Sequence, residues 1–270
     1  MPTDPAEPTD KPMPTDPAVE GVKAELQLSA DGKTVEEIYN SKEATYVEIP
    51  DSVTSIGANA FWRCYSLQSV TIPNSVTNIG ACAFSYTNLQ SVTIPDCVTS
   101  IGERAFFDCK SLQSVTIPYG VTSIERSVFE NCTSLQSVTI QNGVTSIGED
   151  AFYKCTSLKS VTIPNSVTSI GKAAFYECTS LESVAIQNGV TSIESSAFSH
   201  CTSLKSVTIP NSVTSIESFA FSGCTVLEVT VPDTVEKVGW RCFGDVKNVK
   251  YQGTLKDAPW GAKALNGNAQ

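Results

Sequence analysis

The feature that most limits what this chain can fold into is an internal repeat. The segment from Ser69 reads SVTIPNSVTNIGACAF, and SVTIPNSVTSIGKAAF returns from Ser160. Nine units are marked by Val47, Val70, Val92, Val115, Val138, Val161, Val184, Val207 and Val229. The step is 23 residues, except from Val70 to Val92 and from Val207 to Val229, where it is 22. The first residue is lost between Phe84 and Leu89, the second between Leu227 and Val229. A fixed period of this length is the signature of a solenoid, in which each unit touches only its neighbours. A one-residue loss inside a stacked coil has to be absorbed locally, so small irregularities are expected at both places.

Within a unit the apolar spacing predicts the path of the chain. From Leu135 the pattern is L-x-x-V-x-I-P/Q-x-x-V-x-x-I, followed by a Phe and a Cys. Leu135, Val138 and Ile140 have the spacing of a short strand with inward side chains. Pro, or Gln at Gln141 and Gln187, ends that strand, and Val144 and Ile147 return to the core on a second extended segment. So few apolar positions cannot close a core inside one unit, and stacking solves the problem.

A phenylalanine recurs in every unit: Phe61, Phe84, Phe106, Phe129, Phe152, Phe175, Phe198, Phe221 and Phe243. Burying one such ring contributes roughly 1.5–3 kcal/mol, so the ladder is expected to be a main source of stability. Cys64, Cys109, Cys132, Cys155, Cys178, Cys201 and Cys224 share one position, three residues after the ladder Phe. A row of free thiols acting as small buried hydrophobes is expected there. Row-wise disulfides would strain the coil, and with no C-x-x-C pair a structural zinc site lacks its usual ligand spacing. Cys82, Cys97 and Cys242 lie off the row, with Cys242 expected inside.

Composition narrows the function. The formal net charge is -10, from 18 basic and 28 acidic residues. That balance excludes a basic stripe for nucleic acid and adsorption to anionic lipid. No run of about 18 apolar residues occurs, so no membrane insertion is expected. No basic segment followed by an apolar one opens the chain, so no signal peptide is expected within it. Catalysis finds little support. His200 is the single histidine, and its repeat equivalents are Arg63, Asp108, Asn131, Lys154, Glu177 and Gly223, a position that varies freely. No G-x-x-x-x-G-K-[ST] or H-E-x-x-H motif appears. No catalytic residue, cofactor or metal site is therefore assigned.

What faces outward is more informative. Between the inward Leu, Val and Ile of each strand lie Ser and Thr, with Ala185 for Thr in one rung, a grid of hydroxyls at a rung spacing of about 4.8 Å. Its threonines, Thr71, Thr93, Thr116, Thr139, Thr162 and Thr208, form one candidate protein-binding face. The position after the ladder Phe carries Trp62, Phe107, Tyr153 and Tyr176, a second candidate patch, since aromatic residues are common anchors at interfaces. Small β-formers would also suit the sheet for stability alone, and the rings would also suit packing over the coil edge. A further row runs Gln68, Gln90, Gln113, Gln136, Lys159, Glu182, Lys205, Glu228 and Lys250. Its alternating charges are expected to fix register between neighbouring rungs.

The units resemble the BspA-like leucine-rich-repeat family, through the LQSVTIPNSVTSIG-type run, the Ala151-Phe152 pair and the Cys155 that follows. The resemblance covers roughly Ala44 to Gln252. It implies a leucine-rich-repeat solenoid of about nine turns, β-rich, with one short parallel strand per repeat in a curved right-handed superhelix. It also implies a secreted or cell-surface protein that works as a non-catalytic, adhesin-like binding module toward an extracellular protein or glycan, such as host matrix or other cells. A structural spacer that presents another domain, with no ligand of its own, is the alternative.

Four segments are expected. Residues 1–21 hold a Pro/Thr/Asp tract that cannot bury a core and reads as a disordered linker. Residues 22–44 read as a capping hairpin about an Asp31-Gly32 turn, covering an edge that would otherwise stand open. The array spans 45–252, and 253–270 form an irregular C-terminal cap with Tyr251 and Trp260 as lid residues. A monomer is expected.

Overall fold

In a computed structural model, the structure describes residues 21–253, 260–261 and 265–267, which form a helix-free solenoid of stacked coils. The tract expected as a linker lies almost wholly outside the described residues, as does most of the C-terminal tail.

The coil around Phe175 shows the plan. A strand, Ser160–Ile163, alternates exposed and buried residues, as a half-buried strand must. Pro164 then turns the chain, with the Val167 amide donating to its carbonyl at 3.1 Å. A two-residue strand, Ser169–Ile170, follows and pairs in parallel with Ser146–Ile147 before it and Ser192–Ile193 after it. Three overlapping turns carry the chain around the ladder Phe: the amides of Ala174, Tyr176 and Cys178 donate to the carbonyls of Gly171, Ala173 and Phe175.

These turns need a left-handed residue two positions before the Phe and another two positions after it. Ala173 has φ 51° and Glu177 φ 55°, and the same two positions are left-handed in all nine coils. In a turn of this kind the third residue must have positive φ, which favours Gly or Asn. Here Arg104, Ser127, Ser196 and Phe219 occupy it instead. Each such residue costs roughly 1–2 kcal/mol relative to a right-handed one. The stacked ladder holds them there, because Ala173, Phe175 and Glu177 donate to Ser195, Ala197 and Ser199 of the next coil at 2.8–2.9 Å.

The phenylalanines form a continuous spine. All nine are fully buried, and successive ring centroids lie 5.0–5.4 Å apart with interplanar angles of 2–11°. The spacing is within the favourable range for offset aromatic pairs. Alongside it, every row thiol from Cys109 onward donates to the ladder Phe carbonyl of the preceding coil, as Cys155 does to Phe129 and Cys178 to Phe152 at 3.2 Å, whereas Cys64, in the first coil, turns to the Trp62 carbonyl. The coil without a row cysteine places Thr87 in that position, where its hydroxyl donates to Phe84 O at 2.9 Å and lies 3.3 Å from Cys109 Sγ.

The strand side is less regular. Its first strands, Tyr46–Glu48 and Ser69–Thr71, form a two-stranded sheet, and Ser114–Ile117 through Ser206–Thr208 form a five-stranded parallel sheet. Between them the segment Ser91–Ile94 is not a strand at all. A second gap separates Ser206–Thr208 from Glu228–Val231, which begins a three-stranded sheet with Asn248–Tyr251 and Leu265–Gly267. Both gaps fall in coils that lack one residue.

At the N-terminal end Leu26–Leu28 and Thr34–Ile38 pair antiparallel, and the second of them continues in parallel onto Ser55–Ile56. Asp31 shapes the turn by accepting from the Lys33 amide at 3.0 Å, and Gly32 supplies the left-handed φ of 68°. At the other end Trp260, 3% exposed, stacks on Phe243 at 5.8 Å and tilts against Tyr251 at 5.0 Å. Beyond it, Leu265–Gly267 adds one more parallel strand to Asn248–Tyr251.

Candidate functional site

The strand face carries the first candidate set. Thr71, Thr93, Thr116, Thr139, Thr162 and Thr208 are all exposed, because strand alternation turns them away from the buried Val and Ile beside them. The sheet register places Thr116 opposite Thr139, and Thr162 opposite Ala185, which in turn faces Thr208. Thr71 belongs to the separate two-stranded sheet, and Thr93 to the segment with no strand. The six threonines thus lie on one face but on three stretches of it.

Each gap in the sheet is also a cleft. One of about 550 Å³ is lined by Ser91, Thr93, Asp96, Thr116, Thr139 and Asn74, among others. A smaller one of about 320 Å³ is lined by Thr208, Asn211, Glu228, Thr230 and Gln252 among others. Sequence alone marked where each irregularity would fall and gave no sign of a cleft.

The four aromatics of the second set do not form one patch. Tyr153 and Tyr176 stack at 5.0 Å with an interplanar angle of 5°, and His200 meets Tyr176 edge-on at 5.5 Å. Lys154 lies over Tyr153 and pairs with Glu177 at 3.7 Å. Burial first, then the neighbouring Glu177, pushes the Tyr176 hydroxyl above its ordinary pKa. Trp62 and Phe107 belong to another group. The Arg63 guanidinium lies 4.2 Å from the Trp62 ring and 5.8 Å from Tyr86, which meets Phe107 edge-on at 5.2 Å. Arg104 covers Phe107 at 5.5 Å. Glu130 occupies the aromatic position in the intervening coil, and that coil separates the two groups. Tyr86 and Arg63 sit one position after that row and Arg104 three before it, so the row by itself does not bring them together.

The charged row is partly an ion-pair ladder. Glu182 and Lys205 pair at 2.6 Å, and the hydrogen bond from Lys205 holds the Glu182 carboxyl below its ordinary pKa. Glu228 turns instead to Lys247 at 2.6 Å. A second ladder, Arg126–Glu149–Lys172, joins three coils on the spine side at 3.7 and 3.1 Å. The 23-residue spacing of those three residues would have revealed it.

The thiols offer little chemistry. All ten cysteines are free, and eight are buried. Burial pushes the thiols of Cys64, Cys109, Cys178, Cys224 and Cys242 up to about 12. Only the thiolate is a nucleophile or metal ligand. Cys82 is half-buried and Cys97 exposed. Among the described residues no group of three or more His, Cys, Asp or Glu is placed to hold a metal ion. Also among them, no helix is long and apolar enough to cross a membrane.

Several solved structures share this architecture. A leucine rich cell surface protein from Faecalibacterium prausnitzii A2-165 is 25% identical with a TM-score of 0.52, covering 97% of each chain. The T. pallidum leucine rich repeat protein is 24% identical with a TM-score of 0.51, over 82% of this chain and 86% of its own. The pneumococcal vaccine antigen PcpA is 17% identical with a TM-score of 0.51, over 90% of this chain and 71% of its own. The last two show the fold alone. None of the curated proteins matches. Residues 34–144 and 122–250 match the BspA type leucine rich repeat region, in six copies. With most of its length matched, the chain belongs to the BspA-type leucine-rich-repeat family.

Proposed function

We propose that this protein is a non-catalytic binding module of the cell surface or extracellular space, adhesin-like, that engages a protein or glycan partner through its strand face. The observation that carries this reading is the exposed hydroxyl face. Five strands from Ser114–Ile117 to Ser206–Thr208 present Ser in register, and Thr in register in all but the strand that carries Ala185. Repeat proteins of this kind use such extended faces for binding. The cell-surface description of the F. prausnitzii protein supports the location.

A spacer that presents another domain is the second reading. The sameness of the rungs favours it, because identical positions do little to distinguish partners.

A pull-down from host-matrix and microbial-surface extracts separates the two, using the protein and its Thr116→Glu/Thr139→Glu/Thr162→Glu variant. Capture of a partner by the unmodified protein and its loss in the triple variant are expected. Retention by the variant moves the site to the aromatic groups or the ends. Capture of nothing from either extract contradicts a binding role and leaves the spacer.

A further inference from the structure

We propose that the cleft opened by the first one-residue deletion is a docking site for an extended, basic peptide segment, whose main chain takes the vacant place in the strand ladder. This rests on the reading of the array as a binding module and adds the place and the partner's chemistry.

The cleft is a consequence of the shortened turn. A regular coil spends six residues from its ladder Phe to its ladder Leu, as from Phe152 to Leu158, whereas Phe84 to Leu89 takes five. The shorter turn pulls the next segment out of line. Ser91–Ile94 is not a strand, and among the described residues none of its four members makes a backbone hydrogen bond. The segment is displaced, not unravelled, since Val92 and Ile94 remain only 8% and 6% exposed. The edges of Ser69–Thr71 and Ser114–Ile117 that face it carry no strand partner there. Free main-chain donors and acceptors along such an edge are a template for another extended chain. Strand addition of this kind draws affinity from main-chain hydrogen bonds and specificity from alternate side chains.

Charge selects the sign of the partner. Among the described residues, Asp96 is the one ionisable side chain in the lining and is exposed, and none of them places a cation beside it there. A Lys or Arg on the incoming segment meets that carboxylate. The second deletion serves as an internal comparison. Its cleft is smaller, about 320 Å³, and its carboxylate, Glu228, is already bonded to Lys247 at 2.6 Å. The uniform grid therefore has one place where a main chain and a charge are both unmatched.

The test is fluorescence polarisation with three labelled octapeptides: alternating Thr-Lys, alternating Pro-Lys with the same charge but half the amides, and alternating Thr-Glu. Three forms of the full chain are compared with the unmodified protein. In the first, a serine inserted between Thr87 and Asn88 restores the 23-residue period. In the second, a serine inserted between Glu228 and Val229 repairs the other coil. The third is Asp96→Asn, which leaves the coil length alone. The Thr-Lys peptide is expected to bind the unmodified protein and the second form equally, and the first at least tenfold more weakly. Asp96→Asn is expected to weaken it about threefold or more. Equal binding of Pro-Lys and Thr-Lys overturns the proposal, because charge alone would then suffice. Equal binding by the first insertion form, or no binding of Thr-Lys at millimolar concentration, overturns it too. A pull-down partner that the first insertion form still captures would remove the cleft as its site and leave the binding role intact.

Discussion

The phenylalanine spine passes both shortened coils unchanged, whereas the strand face is cut at each of them. Phe84 and Phe106 flank the first missing residue and stack at 5.3 Å and 8°; Phe221 and Phe243 flank the second and stack at 5.3 Å and 2°. On the other side of the same coils, Ser91–Ile94 loses its ladder and Glu228–Val231 joins a different sheet from Ser206–Thr208. Large rings in a closed core allow little displacement, because interiors are packed at crystal-like density. A short strand exposed on one side yields more readily. The strain of a deletion therefore appears on the strand face and not in the spine.

Removing a ring from the spine should have the largest effect. Phe152→Ala is expected to cost about 3–5 kcal/mol, read from chemical unfolding, whereas Thr139→Glu on the strand face should change stability by less than about 0.5 kcal/mol. Equal losses would erase the distinction between the two sides. Thiol accessibility comes next. Iodoacetamide on the native protein should label Cys97 rapidly and Cys82 more slowly, leaving the eight buried thiols unmodified until unfolding. Mass spectrometry showing labelled Cys132 or Cys155 in the folded protein would mean that the row opens far more readily than this packing allows.

Two smaller effects sharpen the picture. Ser196, with φ 60°, sits in one of the left-handed positions beside the spine. Ser196→Gly should stabilise by up to about 1 kcal/mol, the relief of a left-handed residue less the extra freedom of glycine when unfolded. Glu182→Lys should lower Tm slightly at low salt and less so near 1 M, where screening is nearly complete. The pH dependence has a definite sign. The Glu182 carboxyl is held below its ordinary pKa chiefly by its hydrogen bond to Lys205. Its contribution is therefore present above the ordinary carboxylate range and lost as pH falls through the lowered value. An unchanged Tm at low salt would remove the charged row as a register device.

Much of this was legible because it depends on period. The core ladder, the buried thiols and the sites of irregularity follow from apolar spacing and two short steps. The left-handed positions were hidden, because residues such as Arg104, Ser127 and Phe219 carry no turn signature, and only the neighbouring coils hold them. Reading single rows also concealed contacts between rows. Arg63 lies over Trp62 and Tyr86, and Glu228 bonds Lys247 in place of a row neighbour. The clefts could not be read at all, since a missing residue states where strain arises and not which side yields.

Hydrogen–deuterium exchange of the main-chain amides tests the contrast between spine and strand face most directly. The amides of Val92, Thr93 and Ile94 should exchange quickly, while those of Phe84 and Phe106, which donate to Ala105 and Val128 of the next coil, stay protected. Protection of Val92–Ile94 equal to that of the spine amides would show an intact ladder at the first deletion, contradicting a strand face that gives way there.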